Sequence, residues 1–197
     1  RTYVSSRVTP SLMPLCHRRS AKSTKHLLLN HERTKLTNDN NQKCQATIDQ
    51  LGLHPRIVQH KPILNFETAE KVDQELGLTG TETKSMFLKG KSGKHYLFMT
   101  TSDRRMDQKA LRQILGEKVK LVTGDEMIEL TKMQPGCMTP FGLPDGLISA
   151  IVVDPVIYQH SKLILAFGSE CMSMEIAADE LRQLLDHLYP DNTHYLG

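Results

Sequence analysis

The feature that most constrains the fold is a pair of apolar segments joined by a short turn with glycine at both ends. Thr83-Lys84-Ser85-Met86-Phe87-Leu88-Lys89 runs into Gly90-Lys91-Ser92-Gly93, and a second segment follows from His95 to Thr101. Two strand-length runs across such a turn predict a β-hairpin. Around it, helix and strand signals alternate from Cys44 onward. A short helix over 45–51 leads to a strand over 56–60. A helix over 67–76 follows, capped by Asn65 or Thr68 and stopped by Gly77. Asp107 predicts the cap of a helix over 107–115, with Gly116 as its stop. Then come a strand over 118–123, a helix over 125–133, strands over 147–153 and 162–167 on either side of the Asp154-Pro155 turn, a strand over 173–176 and a helix over 178–188. Sequential strands interrupted by helices predict a mixed sheet of the α+β class.

The ends of the chain read differently. Residues 1–43 are rich in Arg, Ser, Thr and Asn and carry nine Lys/Arg against two carboxylates. That composition cannot bury enough surface to offset chain entropy, and residues 38–43 read as linker. The segment is expected to be a disordered basic tail, and its Arg/Ser-rich, acid-poor character resembles an organellar transit peptide. The folded domain is expected over 44–190, with 191–197 as a short tail.

Charge is segregated within the body. Residues 84–120 hold ten Lys/Arg against Asp103, Asp107 and Glu117, whereas residues 121–197 hold three against eleven. A clustered basic third is the footprint of a polyanionic partner. No apolar run approaches the roughly 18–20 residues that cross a bilayer, so no membrane association is expected. Cys16, Cys44, Cys137 and Cys171 are widely spaced with no C-x-x-C pair, and the nine histidines form no H-x-x-x-H pattern. Neither a metal site nor a disulfide framework is expected, and a reducing, cytoplasmic setting is the default.

One stretch stands out as a candidate site. Gly136-Cys137-Met138-Thr139-Pro140 begins with a residue that lets a ligand approach the backbone and ends with one that stiffens it, and Phe141-Gly142 follows. Lys84, about fifty residues upstream, could hold an anionic or ester-bearing substrate against main-chain N–H groups. Cys137 invites a reading as a nucleophile, which would need a base close in space. His60 and Tyr96 are further candidates for pocket lining, His95 reads as a surface residue, and Asp154 reads as a turn cap with a supporting role open to it.

These segments together carry a family resemblance. Thr83 to Lys89, the hairpin into Tyr96-Leu97, Asp107 with Lys109-Ala110-Leu111, Pro135 to Leu143 and Val152-Val153-Asp154 resemble the YbaK/prolyl-tRNA-synthetase-associated editing domain. That family includes free-standing ProX-type and YbaK-type proteins, and the resemblance covers roughly residues 45–188. It implies a mixed, mostly antiparallel, barrel-like sheet surrounded by helices. It also implies a trans-editing deacylase that hydrolyses the ester of a wrong amino acid on tRNA, most often alanine or cysteine on proline tRNA. The partners implied are the tRNA acceptor end and prolyl-tRNA synthetase, with no cofactor and no metal. By resemblance, Lys84 meets the terminal nucleotide's ribose and phosphate region. Gly136, Cys137, Met138, Thr139 and Pro140 shape the amino-acid pocket and offer main-chain donors. Met86, Met138 and Phe141 are candidates to narrow that pocket.

The chain departs from the ProX pattern at several positions. Ser85 stands where Asn is usual after the lysine, and the family's histidine near Phe167-Gly168-Ser169 is absent. The turn at Gly168-Ser169 resembles the YbaK branch, while Ser173 replaces an aspartate often found there. Ser85, Gly168 and Ser169 are therefore expected to lie on the wall that sets specificity, and serine joins alanine and cysteine as a candidate substrate. An alternative function is a non-catalytic module that binds aminoacyl-tRNA or the acceptor stem.

Overall fold

The structure is a computed structural model and describes residues 39–63 and 66–197. The basic tail up to residue 38 and Asn65 as a helix cap lie outside the described residues.

The hairpin is the centre of the sheet. Strands β2 (Thr81–Gly90) and β3 (His95–Thr101) pair antiparallel, from Thr83 opposite Thr101 to Lys89 opposite His95. The Gly90 N–H donates to the Lys94 carbonyl at 2.9 Å, and Gly93, at φ 86°, donates to the Gly90 carbonyl at 3.1 Å. Glu117 pins this turn from the side. Its carboxylate accepts from the Tyr96 hydroxyl at 2.6 Å, the Ser92 hydroxyl at 2.7 Å and the Ser92 N–H at 2.8 Å. Those donors, Tyr96 foremost, hold the Glu117 carboxyl down at about 2.

Other strands add on both sides. The first two residues of β2 pair parallel with β6 (Lys162–Ala166), and its last three pair antiparallel with β4 (Val119–Leu121). β3 pairs parallel with β5 (Ile148–Val153), which pairs parallel with β8 (Thr193–Tyr195). β6 pairs antiparallel with β7 (Met172–Ala177), and β7 with β1 (Arg56–Gln59). The order is β1-β7-β6-β2-β3-β5-β8, with β4 beside β2. Four of these pairings are antiparallel and three parallel. The sheet is thus mixed and narrowly antiparallel, as expected, but it is open between β1 and β8 rather than closed like a barrel.

Five helices and a 3-10 turn complete the described residues. They are α1 (39–51), α2 (Phe66–Leu76), α3 (Gln108–Leu115), α4 (Gly124–Thr131), the 3-10 turn Pro155–Gln159 and α5 (Ala178–Leu188). The predicted caps of α3 are present. The Asp107 carboxylate accepts from the N–H groups of Lys109 and Ala110, and Gly116, at φ 74°, donates to the Arg112 carbonyl. Two expectations are corrected. Residues 39–43, read as linker, are helical, because Asn40, Cys44 and Ile48 stand four apart and form one buried stripe. Residues 193–195, read as tail, form β8, whose backbone partners on β5 are supplied by tertiary context alone.

Alternation along the strands builds a core on each face. Phe87, Leu97, Met99, Ile151 and Val153 face a larger core with Cys44, Met138, Phe141, Phe167 and the apolar side of α5. Leu88, Tyr96, Phe98, Ala150 and Val152 face a smaller one closed by Leu111 of α3. β5 is buried on both faces, which is why its sequence shows a continuous apolar run rather than alternation.

Candidate functional site

The loop after α4 is held by side chains of its own and of distant elements. α4 ends at Lys132, which takes φ 62° and donates its N–H to the Ile128 carbonyl. Gly136 takes φ 90°, and a Cβ built there would meet nothing within 4 Å. The dihedral, not crowding, therefore asks for glycine at this position. Thr139 is fully buried; its hydroxyl donates to the Phe141 carbonyl at 2.6 Å and accepts from the Phe141 N–H at 3.4 Å. The Pro140 carbonyl accepts from the Tyr189 hydroxyl at 2.6 Å. Main-chain carbonyls on this side of the loop are thus already satisfied by the fold.

Cys44 of α1 gathers this loop and the Gly168 turn. A Cβ on Gly142, at φ 70°, would stand 2.8 Å from the Cys44 sulfur, and one on Gly168, at φ 73°, would stand 3.2 Å from it. The Cys44 thiol lies 3.8 Å from the Phe141 carbonyl, and burial pushes its pKa up to about 12. It is a neutral packing group. The rings of Phe141 and Phe167 meet at 6.0 Å between centroids. Ser169 is buried with no hydrogen-bond partner for its hydroxyl among the described residues. The structure therefore brings together Gly136 to Gly142 and Phe167 to Ser169, the two segments that the sequence singled out on either side of β5 and β6.

Lys84 occupies a different place. It shares its face of β2 with Met86 and Leu88, which pack on the smaller core, whereas Met138 and Phe141 belong to the larger one. The Lys84 ammonium donates to the Ser102 carbonyl at 3.0 Å and to the Arg104 carbonyl, both in the loop between β3 and α3. That loop is anchored in turn by Asp154. One Asp154 carboxylate oxygen accepts from the Thr100 hydroxyl at 2.8 Å and lies 3.3 Å from Arg104 Nε, and the other accepts from the Val156 N–H at 3.1 Å. Asp154 is the expected turn cap and also a strut under the lysine's carbonyl partners. Ser85, half-buried on the opposite face of β2 from Lys84, is on the side of the Gly136 loop.

The remaining candidates settle mostly into structure. Cys137 is only 4% exposed. Tyr96 is buried in the smaller core with its hydroxyl on Glu117, so it serves the hairpin turn. His60 lies 2.9 Å from the Ser173 hydroxyl and 2.8 Å from the Lys61 carbonyl. His95 stacks on Phe87 at 5.1 Å rather than standing on the surface. Sequence reasoning missed Cys44 and Tyr189. The stripe of Asn40, Cys44 and Ile48 was a readable signal for the first; none pointed to the second.

The chain belongs to the family described as the aminoacyl-tRNA editing domain, which matches residues 65–184. It is 29% identical over 107 residues to the prolyl-tRNA editing protein ProX of Acetoanaerobium sticklandii, a match covering 53% of this chain and 64% of that protein. It is 25% identical over 126 residues to the uncharacterized protein YwhH of Bacillus subtilis, covering 61% of this chain and 79% of that one. Among solved structures, a candidate trans-editing enzyme for prolyl tRNA synthetase superposes with a TM-score of 0.64 at 21% identity, over 80% of this chain and 96% of that one. The last likeness concerns the fold. Among the described residues, no helix is long and apolar enough to cross a membrane.

Proposed function

We propose that this chain is a trans-editing deacylase that hydrolyses the ester joining a mischarged small amino acid to tRNA. The proposed amino acid is alanine or cysteine, with serine as a third candidate, and the proposed tRNA is that for proline. One observation carries the reading. Gly136 presents an open backbone surface at the head of a loop whose rear is fixed through Thr139, Pro140 and Gly142. Such a wall lets an ester carbonyl approach the main chain at Gly136, while the Cys137 N–H already donates to the Gln134 carbonyl at 2.9 Å and the Phe141 N–H to the Thr139 hydroxyl.

Attack of water on the ester carbon places negative charge on the carbonyl oxygen, and the bond to the terminal ribose oxygen then breaks. Preorganised N–H donors stabilise that oxyanion, and loss of one such donor typically costs about 10²–10³ in rate. The terminal ribose hydroxyl assists the water in this scheme, so no side-chain base is required. Lys84 meets a phosphate of the terminal nucleotide. Its present acceptors are two neutral carbonyls, and a charged phosphate oxygen is a stronger acceptor that would draw it away. Cys137 to Phe141 form one wall of the pocket and Ser85, Gly168 and Ser169 the other. Lys91, Lys94, Arg105, Lys109, Lys118 and Lys120, all exposed, offer the polyanion-binding surface.

The editing site has a clear physical purpose. A synthetase pocket built for proline rejects a smaller amino acid by only about 1–3 kcal/mol per missing methylene, and a second, narrower site supplies the rest. The competing reading, a binding module without catalysis, draws on the internal engagement of Lys84. Alanyl-, cysteinyl-, seryl- and prolyl-tRNA incubated with wild type and Lys84→Ala separate the two. The deacylase loses turnover by orders of magnitude on substitution, while a binder hydrolyses nothing and loses only salt-sensitive affinity.

A further inference from the structure

Pro140, the last residue of the Gly136–Pro140 loop, borders an open cavity of about 550 Å³, lined also by Lys43, Thr47 and Gln50 of α1, by Leu143 and by Tyr189. The middle of the loop is packed through Met138, Thr139 and Phe141, whereas Pro140 at its end borders that open space. Across that space the fold sends a polar tether, the Tyr189 hydroxyl, which donates to the Pro140 carbonyl at 2.6 Å.

Tyr189 is itself unusually well fixed for a residue just past a helix end. Its N–H donates to the Leu185 carbonyl at 2.8 Å. Its own carbonyl accepts from the Asn192 N–H at 3.1 Å and the Thr193 hydroxyl at 3.0 Å. Thr193 opens β8 and Asn192 immediately precedes it, and the Asn192 carbonyl in turn accepts from the Ile151 N–H of β5 at 2.9 Å. The chain of contacts therefore runs from the central sheet through the C-terminal strand to Tyr189 and on to Pro140. Burial raises the Tyr189 phenol above its ordinary range, so it stays a neutral donor across physiological pH.

We infer that Tyr189 is a positioning residue for the editing loop: its hydroxyl fixes the Pro140 carbonyl, and so holds the loop's main-chain donors at the geometry the ester needs. This rests on the deacylase reading for its catalytic consequence, but not for its structural one. The C-terminal strand becomes part of the site's support, since it sets where the phenol stands. Phenylalanine at this position keeps the ring and removes only the tether.

The test is Tyr189→Phe in the full chain, with two readouts. Amide hydrogen exchange across 134–143 is expected to quicken about fivefold to tenfold, the equilibrium weight of one ordinary hydrogen bond, while exchange in α5 and β5 stays unchanged. On the best mischarged tRNA, kcat is expected to fall by a similar factor with KM within about twofold, because the loop's competent population drops and substrate contacts do not. A purely structural role would instead lower the thermal midpoint and quicken exchange in α5 and β5 too. Unchanged exchange in 134–143, or a generalised increase, overturns the inference. If wild type deacylates nothing, the deacylase reading falls, and the exchange measurement still decides the tether. Should Tyr189→Phe fold poorly, Thr193→Val, which removes a bond to the Tyr189 carbonyl and leaves the phenol in place, must give the same local quickening, and its absence overturns the inference.

Discussion

Replacing Gly142 with alanine measures how closely α1 holds the candidate site. Gly142 takes φ 70°, a conformation costing a residue with a Cβ about 1–2 kcal/mol. The added carbon would also stand 2.8 Å from the Cys44 sulfur and 3.3 Å from the Cys44 backbone nitrogen. Helix backbone cannot yield as a side-chain tip can, and forced overlap of this kind costs about 1–3 kcal/mol more. The expected loss is about 2–5 kcal/mol, a large share of the 5–15 kcal/mol typical of a domain. Gly136→Ala is the internal control. It sits at φ 90° with nothing within 4 Å of a built Cβ, so it should cost only the backbone part, about 1–2 kcal/mol. Urea unfolding followed by circular dichroism gives both values if the slopes agree. Adding Cys44→Ala to Gly142→Ala should recover part of the loss, while Cys44→Ala alone destabilises by vacating the core. Equal losses for the two glycines, with no recovery from Cys44→Ala, would refute the packing of α1 on this loop.

Burial beside Asp73 pushes the Glu82 carboxyl from 4.5 up to about 8. The folded protein then keeps a proton that the unfolded chain releases, so this contribution to stability is whole below about pH 4.5 and is lost as pH rises toward 8. Glu82→Gln should flatten that slope, read as urea midpoints at both ends of the window; an unchanged slope refutes the assignment. Asp154→Ala strips the acceptor from the Thr100 hydroxyl, Arg104 and the Val156 N–H. It should cost about 2–4 kcal/mol by chemical denaturation, and a loss under about 0.5 kcal/mol would show that the strut carries nothing.

Local chemistry explains what the sequence revealed. The hairpin, the Asp107 and Gly116 caps of α3 and the Asp154 turn all rest on interactions a few residues apart, so residue type alone predicts them. The start of α1 was hidden by a run of Asn, Asp and Gln that reads as linker. Its fully buried polar residue, Asn40, donates to the Lys132 carbonyl, 92 positions away. β8 is three residues long and pairs only along β5, a partner that no local pattern announces. Within the site, the Gly136 loop was legible because its glycine-to-proline pattern is local, whereas the Gly168 turn was legible only through the family resemblance. The partners of Lys84 were not, because they are backbone carbonyls in a loop of ordinary sequence. Tyr189 was silent for a similar reason, since its target is the Pro140 carbonyl.

The deacylase proposed above cleaves mischarged aminoacyl-tRNA through the Gly136 loop and Lys84. The most direct test is the single-turnover deacylation rate of alanyl-, cysteinyl-, seryl- and prolyl-tRNA carrying the proline anticodon, with wild type and with Lys84→Ala at matched folding. Hydrolysis of at least one small-residue ester, sparing of prolyl-tRNA, and a fall of about 10²-fold or more on substitution are expected. Wild-type protein that leaves every mischarged tRNA intact, or a Lys84→Ala variant that hydrolyses as fast as wild type, would contradict that proposal.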